Sequence, residues 1–162
     1  MNSFRRSHPS ITDLEPYSQG SLDLLEASDA YLGALYPPES NHLTSPDDLA
    51  QPHVRFLGYQ IGLDVVACGA VKILEDSKGR YGEIKRVFVL PDFRGRGISK
   101  ALLAALEAHL IDQGVNLSRL ETGIHQPEAL GLYQRFGYVE RGPYGDYALD
   151  PLSVFMEKNL IR

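Results

Sequence analysis

Residues 81–114, YGEIKRVFVLPDFRGRGISKALLAALEAHLIDQG, constrain the fold more than any other stretch of the chain. Val87-Phe88-Val89-Leu90 is apolar and rich in β-branched residues, the composition of a buried strand. Pro91 ends that strand, because proline has no amide with which to continue a ladder. Arg94-Gly95-Arg96-Gly97 then makes a short basic turn, after which Ile98, Leu102, Leu103, Leu106 and Leu110 recur at helical spacing until Gly114. A strand, a Gly/Arg turn and a helix together make an anion site. The unpaired amides at the helix start point out of the turn, and the helix dipole and both arginines add positive charge. Glycine lets the backbone approach a phosphate with no side chain in the way. The stretch reads as a pyrophosphate cradle.

Other phosphate motifs fit less well. The P-loop string G-x-x-x-x-G-K-[ST] does not occur, and a dinucleotide fingerprint counted from Gly95 puts Lys100 where its third glycine belongs. Charge supports a phosphorylated ligand of limited size. The net charge is −5, yet residues 72–100 carry eight Lys/Arg against four Asp/Glu, a local +4 that leaves −9 elsewhere. A basic island in an acidic chain argues against a general nucleic-acid surface. A solvated charged face would account for Lys72, Lys78 and Arg80 equally well, but less well for the glycine-flanked Arg94 and Arg96.

The 162 residues, 43% hydrophobic and 23% charged, suit one ordinary globular domain. We expect residues 1–9 to form a loose tail and 10–162 a single domain. A lone cysteine, Cys68, permits no internal disulfide and fits a reducing compartment. MNSFRRSHPS lacks the apolar run of a signal peptide, and no segment approaches the ~18 apolar residues of a membrane span. The expected location is cytoplasmic.

In order, Ile11 to Tyr17 reads as a strand, and Leu22, Leu25, Tyr31, Leu32 and Leu35 as one face of a helix ended by Pro37-Pro38. Ser45-Pro46 opens a second, short helix. Residues 54–59 and 65–74 form a hairpin around Ile61-Gly62-Leu63-Asp64, and Asp76 to Arg80 turns into the central strand. After the long helix come a strand at 117–122, a helix from Pro127 that stops at Gly137, a strand at 138–140, a loop at 141–151 and a closing strand at 153–156. This order predicts an α/β sandwich, with about four helices on a mixed sheet of about seven strands, antiparallel early and parallel at the cradle.

Arg94, Gly97 and Ser99 fill the fixed places of [QR]-x-x-G-x-[GA], with Ser99 a small-residue departure at the last. Residues 126–138, QPEALGLYQRFGY, are similar to N-x-x-A-x-x-L-Y-x-x-x-G-[FY], with Gln126 in the place of asparagine. With the element order, these motifs resemble the GNAT N-acetyltransferases over nearly the whole chain. The runs PPES (37–40), QPEA (126–129) and DYALDPLSVFM resemble a branch of small bacterial members of unassigned substrate. The resemblance implies acetyl-CoA as co-substrate, held in a cleft between two splayed central strands. Val87, Phe88 and Val89 would face its pantetheine arm, and Arg94, Gly95, Arg96, Gly97, Ile98, Ser99 and Lys100 would hold its pyrophosphate. Gln126 would be a further contact. An amide near Val89 would be the donor to the carbonyl oxygen.

Acetyl transfer to an amine needs a neutral amine, although a lysine-like ammonium has a pKa of about 10.4. Glu83, eleven residues before Arg94, stands where Gcn5-like members carry their catalytic glutamate. It is the candidate base, or else it pairs with Lys85 or Arg86. Tyr133, by the same likeness, is the candidate acid for the leaving thiolate, or else a core tyrosine beside Leu132 and Phe136. His125 is a second candidate base. Glu39, Glu121, Asp146, Tyr144 and Tyr147 are expected to approach the acceptor through loops, hinting at a cationic amine. Cys68 reads as core rather than nucleophile. The histidines at 8, 42, 53, 109 and 125 have no metal spacing, so no metal is expected. The function implied is acetyl transfer to a primary amine of a small molecule, peptide or protein, with a homodimer left open and neither nucleic acid nor membrane as partner. The other reading is a non-catalytic acyl-CoA sensor, which would need the cradle but neither Glu83 nor Tyr133.

Overall fold

The computed structural model describes residues 9–161, so all but one residue of the expected tail lies outside the described residues. Seven strands form one sheet: β1 (Ser10–Asp13), β2 (Val54–Ile61), β3 (Asp64–Asp76), β4 (Gly79–Val89), β5 (Leu117–Gly123), β6 (Val139–Arg141) and β7 (Ser153–Asn159). Their order across the sheet is β1-β2-β3-β4-β5-β7-β6. Every neighbouring pair is antiparallel except β4 and β5, which run parallel. Four helices complete the fold: α1 (Gln19–Leu35), α2 (Pro46–Leu49), α3 (Ile98–Asp112) and α4 (Pro127–Arg135).

β1 stops at Asp13, short of the expected Tyr17. Pro16 cannot donate to a ladder, and Ser18 already caps α1 by accepting from the Ser21 amide. β7 runs on to Asn159, because its pairing with β5 continues back to Leu117.

The two faces of the sheet are covered differently. Leu102, Leu103, Leu106 and Leu110 of α3 are wholly buried against Val66, Val71, Ile84, Leu120 and Met156. Each such side chain contributes about 1.5–3 kcal/mol by burial. Gly82 makes this approach possible, since a Cβ there would stand 2.3 Å from Leu110 Cδ1. On the other face Leu24 and Leu25 of α1 pack with Phe56, Cys68, Ala70 and Phe88. Cys68 is fully buried, and burial pushes its thiol up to about 12, consistent with a core role.

β4 contains a bulge that sequence reading did not anticipate. Cys68 pairs with Phe88 and Ala70 with Lys85, three steps along β4 against two along β3. Arg86 absorbs the extra residue at φ 59°, the single positive φ outside glycine among the described residues. Distant anchors impose this conformation. The Arg86 guanidinium pairs with Asp29 of α1 and donates to the Thr44 carbonyl at 2.9 Å.

Candidate active site

β4 and β5 pair at three positions only: Gly82 with Ser118, Glu83 with Arg119, and Ile84 with Leu120. The bulge at Arg86 turns β4 aside just beyond, and the strands part. The cleft so opened is lined by residues 84–88 of β4, by Glu121, Thr122 and Gly123 of β5, by Gln126 at the N-cap of α4 and by Tyr133 of α4. Ser28, Tyr31 and Leu32 of α1, Tyr36 just after it, residues 40–43, and Leu152 and Ser153 complete its wall. Leu90 donates its amide to Val66 of β3 at 3.0 Å. Strand alternation then turns the Val89 amide the other way, toward the opened side.

The basic turn follows β4, and Arg94 ties it to Val89 and to Tyr31 and Phe88 of the cleft wall. Gly95 and Gly97 have φ of +78° and +75°, and a Cβ on either would meet no protein atom within 4 Å. Gly97 is the N-cap of α3, and helical bonding starts with Ala101 donating to Gly97 at 3.1 Å. The amides of Ile98, Ser99 and Lys100 therefore precede the first helical bond and point out of the helix end. The Ile98 side chain itself is in the core, so only its backbone is available. Arg94 folds back: its Nε donates to the Val89 carbonyl at 3.1 Å, and its guanidinium lies 5.1 Å from the Tyr31 ring and 5.7 Å from Phe88. Arg96 is exposed and stacks on Phe93 at 5.1 Å. Open space in front of left-handed glycines, beside free helix amides, fits a pyrophosphate.

The β4–β5 register assigns side chains to faces. Glu83 and Arg119 are partners, so Lys85 and Glu121, two residues further on, share their face. This face lies opposite α3. It presents glutamate and lysine along β4 and arginine and glutamate along β5. Arg119 is fully engaged, by Asp76 at 2.7 Å and Glu157 at 2.8 Å. Glu83 is buried and accepts from Tyr144 Oη at 2.7 Å; it pairs with neither Lys85 nor Arg86, and it stands behind the cleft wall rather than on it. Lys85 donates from Nζ to the His42 carbonyl at 2.9 Å and to Tyr147 Oη at 2.8 Å.

Glu121 belongs to β5 and faces the cleft directly, where the sequence suggested a loop residue. Burial raises its pKa to about 7, with the nearby Glu83 charge adding to the rise and Lys85 opposing it. The alternation Arg119-Leu120-Glu121 could have signalled it, since it sets Glu121 on the face opposite the buried Leu120. Tyr133 reaches the cleft from α4. It is buried, packs edge-on against Tyr138 at 5.8 Å, and donates to no side chain among the described residues. No buried polar side-chain atom is left without a partner among those residues, so the Tyr133 hydroxyl opens onto the cleft. Burial, then the Glu121 charge, pushes it up to about 12. Gln126 is held by the Tyr36 hydroxyl, which donates to its Oε1 at 3.2 Å and accepts from the His125 amide at 3.1 Å. The His125 ring stacks on Tyr36 at 5.4 Å rather than entering the row of charges.

The fold agrees with the relatives of this chain. The acetyltransferase (GNAT) family model matches residues 22–138. The chain is 46% identical to an IAA acetyltransferase of Azospirillum brasilense over 90% of its length and 94% of the relative's. It superposes at a TM-score of 0.77 on a Klebsiella pneumoniae chain bearing the provisional name acyl-CoA N-acyltransferase, with 37% identity over 96% of this chain and 99% of that one. A Thermoplasma acidophilum PaiA N-acetyltransferase crystallised with coenzyme A shares the fold at TM-score 0.74 and 17% identity, covering 94% and 99% of the two chains. The chain belongs to the GNAT acetyltransferase family. No helix among its described residues is long and apolar enough to cross a membrane.

Proposed function

We propose that the chain transfers acetyl from acetyl-CoA to a primary amine, with Glu121 receiving the amine proton and Tyr133 donating to the departing sulfur. The observation that carries this reading is the placement of those two groups in one cleft, at the point where β4 and β5 separate. Acetyl-CoA supplies the acetyl group as a thioester. Gly95, Gly97 and the amides of Ile98, Ser99 and Lys100 would take its pyrophosphate, with Arg96 adding charge from outside. Arg94 would act indirectly, by fixing the end of β4 through the Val89 carbonyl. The backbone of residues 87–89, without a strand partner on the β5 side, would run along the pantetheine arm. The Val89 amide is the donor for the carbonyl oxygen as it gains charge.

A carboxyl group titrating at about 7 is suited to general-base work near neutral pH, because about half of it is ionised there and it is still basic enough to hold a proton. Glu83 has a supporting part in this reading. Its charge, kept in place by Tyr144, helps hold the Glu121 pKa up. Tyr133, raised to about 12, keeps its proton at neutral pH and serves as a hydrogen-bond donor to sulfur. The proposed setting is the cytoplasm, where acetyl-CoA is formed and Cys68 stays a thiol.

The test is kcat/KM against pH with an acceptor found by thiol release. The wild-type profile should rise through a pKa near 7. Glu121→Gln should lose most of its rate at neutral pH, and the loss should shrink toward the acceptor's own pKa, where solvent supplies neutral amine. Glu83→Gln should shift the rising limb to lower pH, since a like charge is removed. A constant offset for Glu121→Gln, with the limb abolished in Glu83→Gln instead, would move the base assignment to Glu83.

A further inference from the structure

Among the described residues, most cations drawn into this fold are matched by carboxylates, but the one in the cleft wall that comes from the end of the β4–β5 seam, Lys85, is not. Among the described residues Arg86 pairs with Asp29, Arg119 with Asp76 and Glu157, and Lys158 with Glu107. Half-buried Lys85 has no carboxylate oxygen within 4.0 Å among them. Its Nζ rests on two neutral oxygens, the His42 carbonyl and the Tyr147 hydroxyl. An ammonium carries three donors, so one remains for a ligand. Taking a cation out of water without an anion in contact is costly. Burial lowers the Lys85 pKa, Glu83 and Glu121 oppose that only from beyond 4.0 Å, and the side chain lines the cleft.

Glu121 lies across the opening from Lys85, on the adjacent strand and the same face. Paired strands stand about 4.8 Å apart, and these two are diverging. A single molecule carrying an amine and a carboxylate a few atoms apart can therefore meet both groups. Leu43 and Leu152, on the same wall, offer apolar surface to its body. A polyamine would bring its second positive charge against Lys85, and a protein lysine has no carboxylate to offer there.

We propose that the acceptor is a small amino carboxylate, an α-amino acid or close analogue, with its carboxylate on Lys85 and its amine toward Glu121. This rests on the acetyl-transfer reading and narrows its acceptor.

Calorimetry on the CoA-loaded protein, with a panel of amino acids and their decarboxylated amines, tests it. At least one amino acid should bind, and its amine should bind at least tenfold more weakly. Lys85→Met should erase that difference, while Lys85→Arg should preserve it; a role confined to holding Tyr147 would change both ligands alike. Equal binding of acid and amine by the wild type, no binding by any amino acid, or a preference that survives Lys85→Met would overturn the proposal. Thiol release from acetyl-CoA is recorded in parallel. An amino acid that binds through Lys85 but releases no thiol would sink the transferase reading and leave the carboxylate site standing.

Discussion

A Cβ on Gly123 would stand 1.9 Å from the hydroxyl oxygen of Tyr36. The Tyr36 ring, which follows α1 directly, therefore lies against the last residue of β5 and bridges from there to Gln126 and His125. One absent side chain thus lets the acceptor-side helix and the α4 entrance share an anchor.

Gly123→Ala should expel the Tyr36 ring from this seat. We expect a stability loss of about 1–3 kcal/mol, the usual cost of forcing extra volume into a packed site, and weaker acceptor binding. Tyr36→Phe, which keeps the ring and drops the hydroxyl, should cost less, about 1 kcal/mol. Denaturant titration of both variants checks the order, and equal stability of Gly123→Ala and wild type would refute the seat.

Gly97 tests the cradle. Gly97→Ala carries only the strain of a left-handed backbone, about 1–2 kcal/mol, because its methyl would enter open space. Gly97→Glu carries that strain and a carboxylate facing the proposed pyrophosphate site. Calorimetry with CoA should show binding weakened in the first and lost in the second. Equal affinities in two folded variants would remove the phosphate from this turn.

Tyr133→Phe removes a hydroxyl that has no side-chain acceptor, so no buried group is orphaned. Stability should stay within about 0.5 kcal/mol of wild type, CoA affinity should hold, and turnover should fall at least tenfold. Turnover within twofold of wild type, under conditions where chemistry limits the rate, would reduce Tyr133 to a packing residue.

Glu121 has a signature that needs no substrate. Its folded pKa, about 7, lies above the usual carboxylate value. The folded state thus binds more protons than the unfolded one between pH 4.5 and 7, and stability falls as pH rises through that window. Glu121→Gln should remove this slope. The variant should melt above wild type at pH 8, by about 2–4 °C for each kcal/mol gained, with the advantage gone at pH 4.5. A melting difference independent of pH would contradict the placement of this carboxyl.

The residues themselves announced the glycine turn and the long helix: glycines at 95, 97 and 114 stand where φ is positive, and the leucines of α3 are all inside. They did not announce the bulge. Arginine is a poor candidate for φ 59°, and Arg86 adopts it because Asp29 and Thr44, more than forty positions away, hold its guanidinium. Glu83 was singled out by its spacing from Arg94, whereas Glu121 and Lys85 gain their interest from the β4–β5 register, a relation between strands separated by a helix. The parting of those strands was expected only by resemblance to a family. Its local cause is the inserted residue at Arg86.

Only three residue pairs stitch β4 to β5, so the sheet is mechanically two panels sharing a short seam, one of four strands and one of three. Beyond the seam the backbone edges at residues 85–89 and 121–123 face each other unbonded. A ligand threaded between them, as proposed for the cofactor, would supply the cross-links that the chain omits and would become for that moment a structural part. Occupancy and rigidity then report on each other: at a hundred times Kd the ligand adds about 2.7 kcal/mol to folding. In the empty protein, amide exchange should be fastest along these two edges, well away from the surface loops where motion is usually sought.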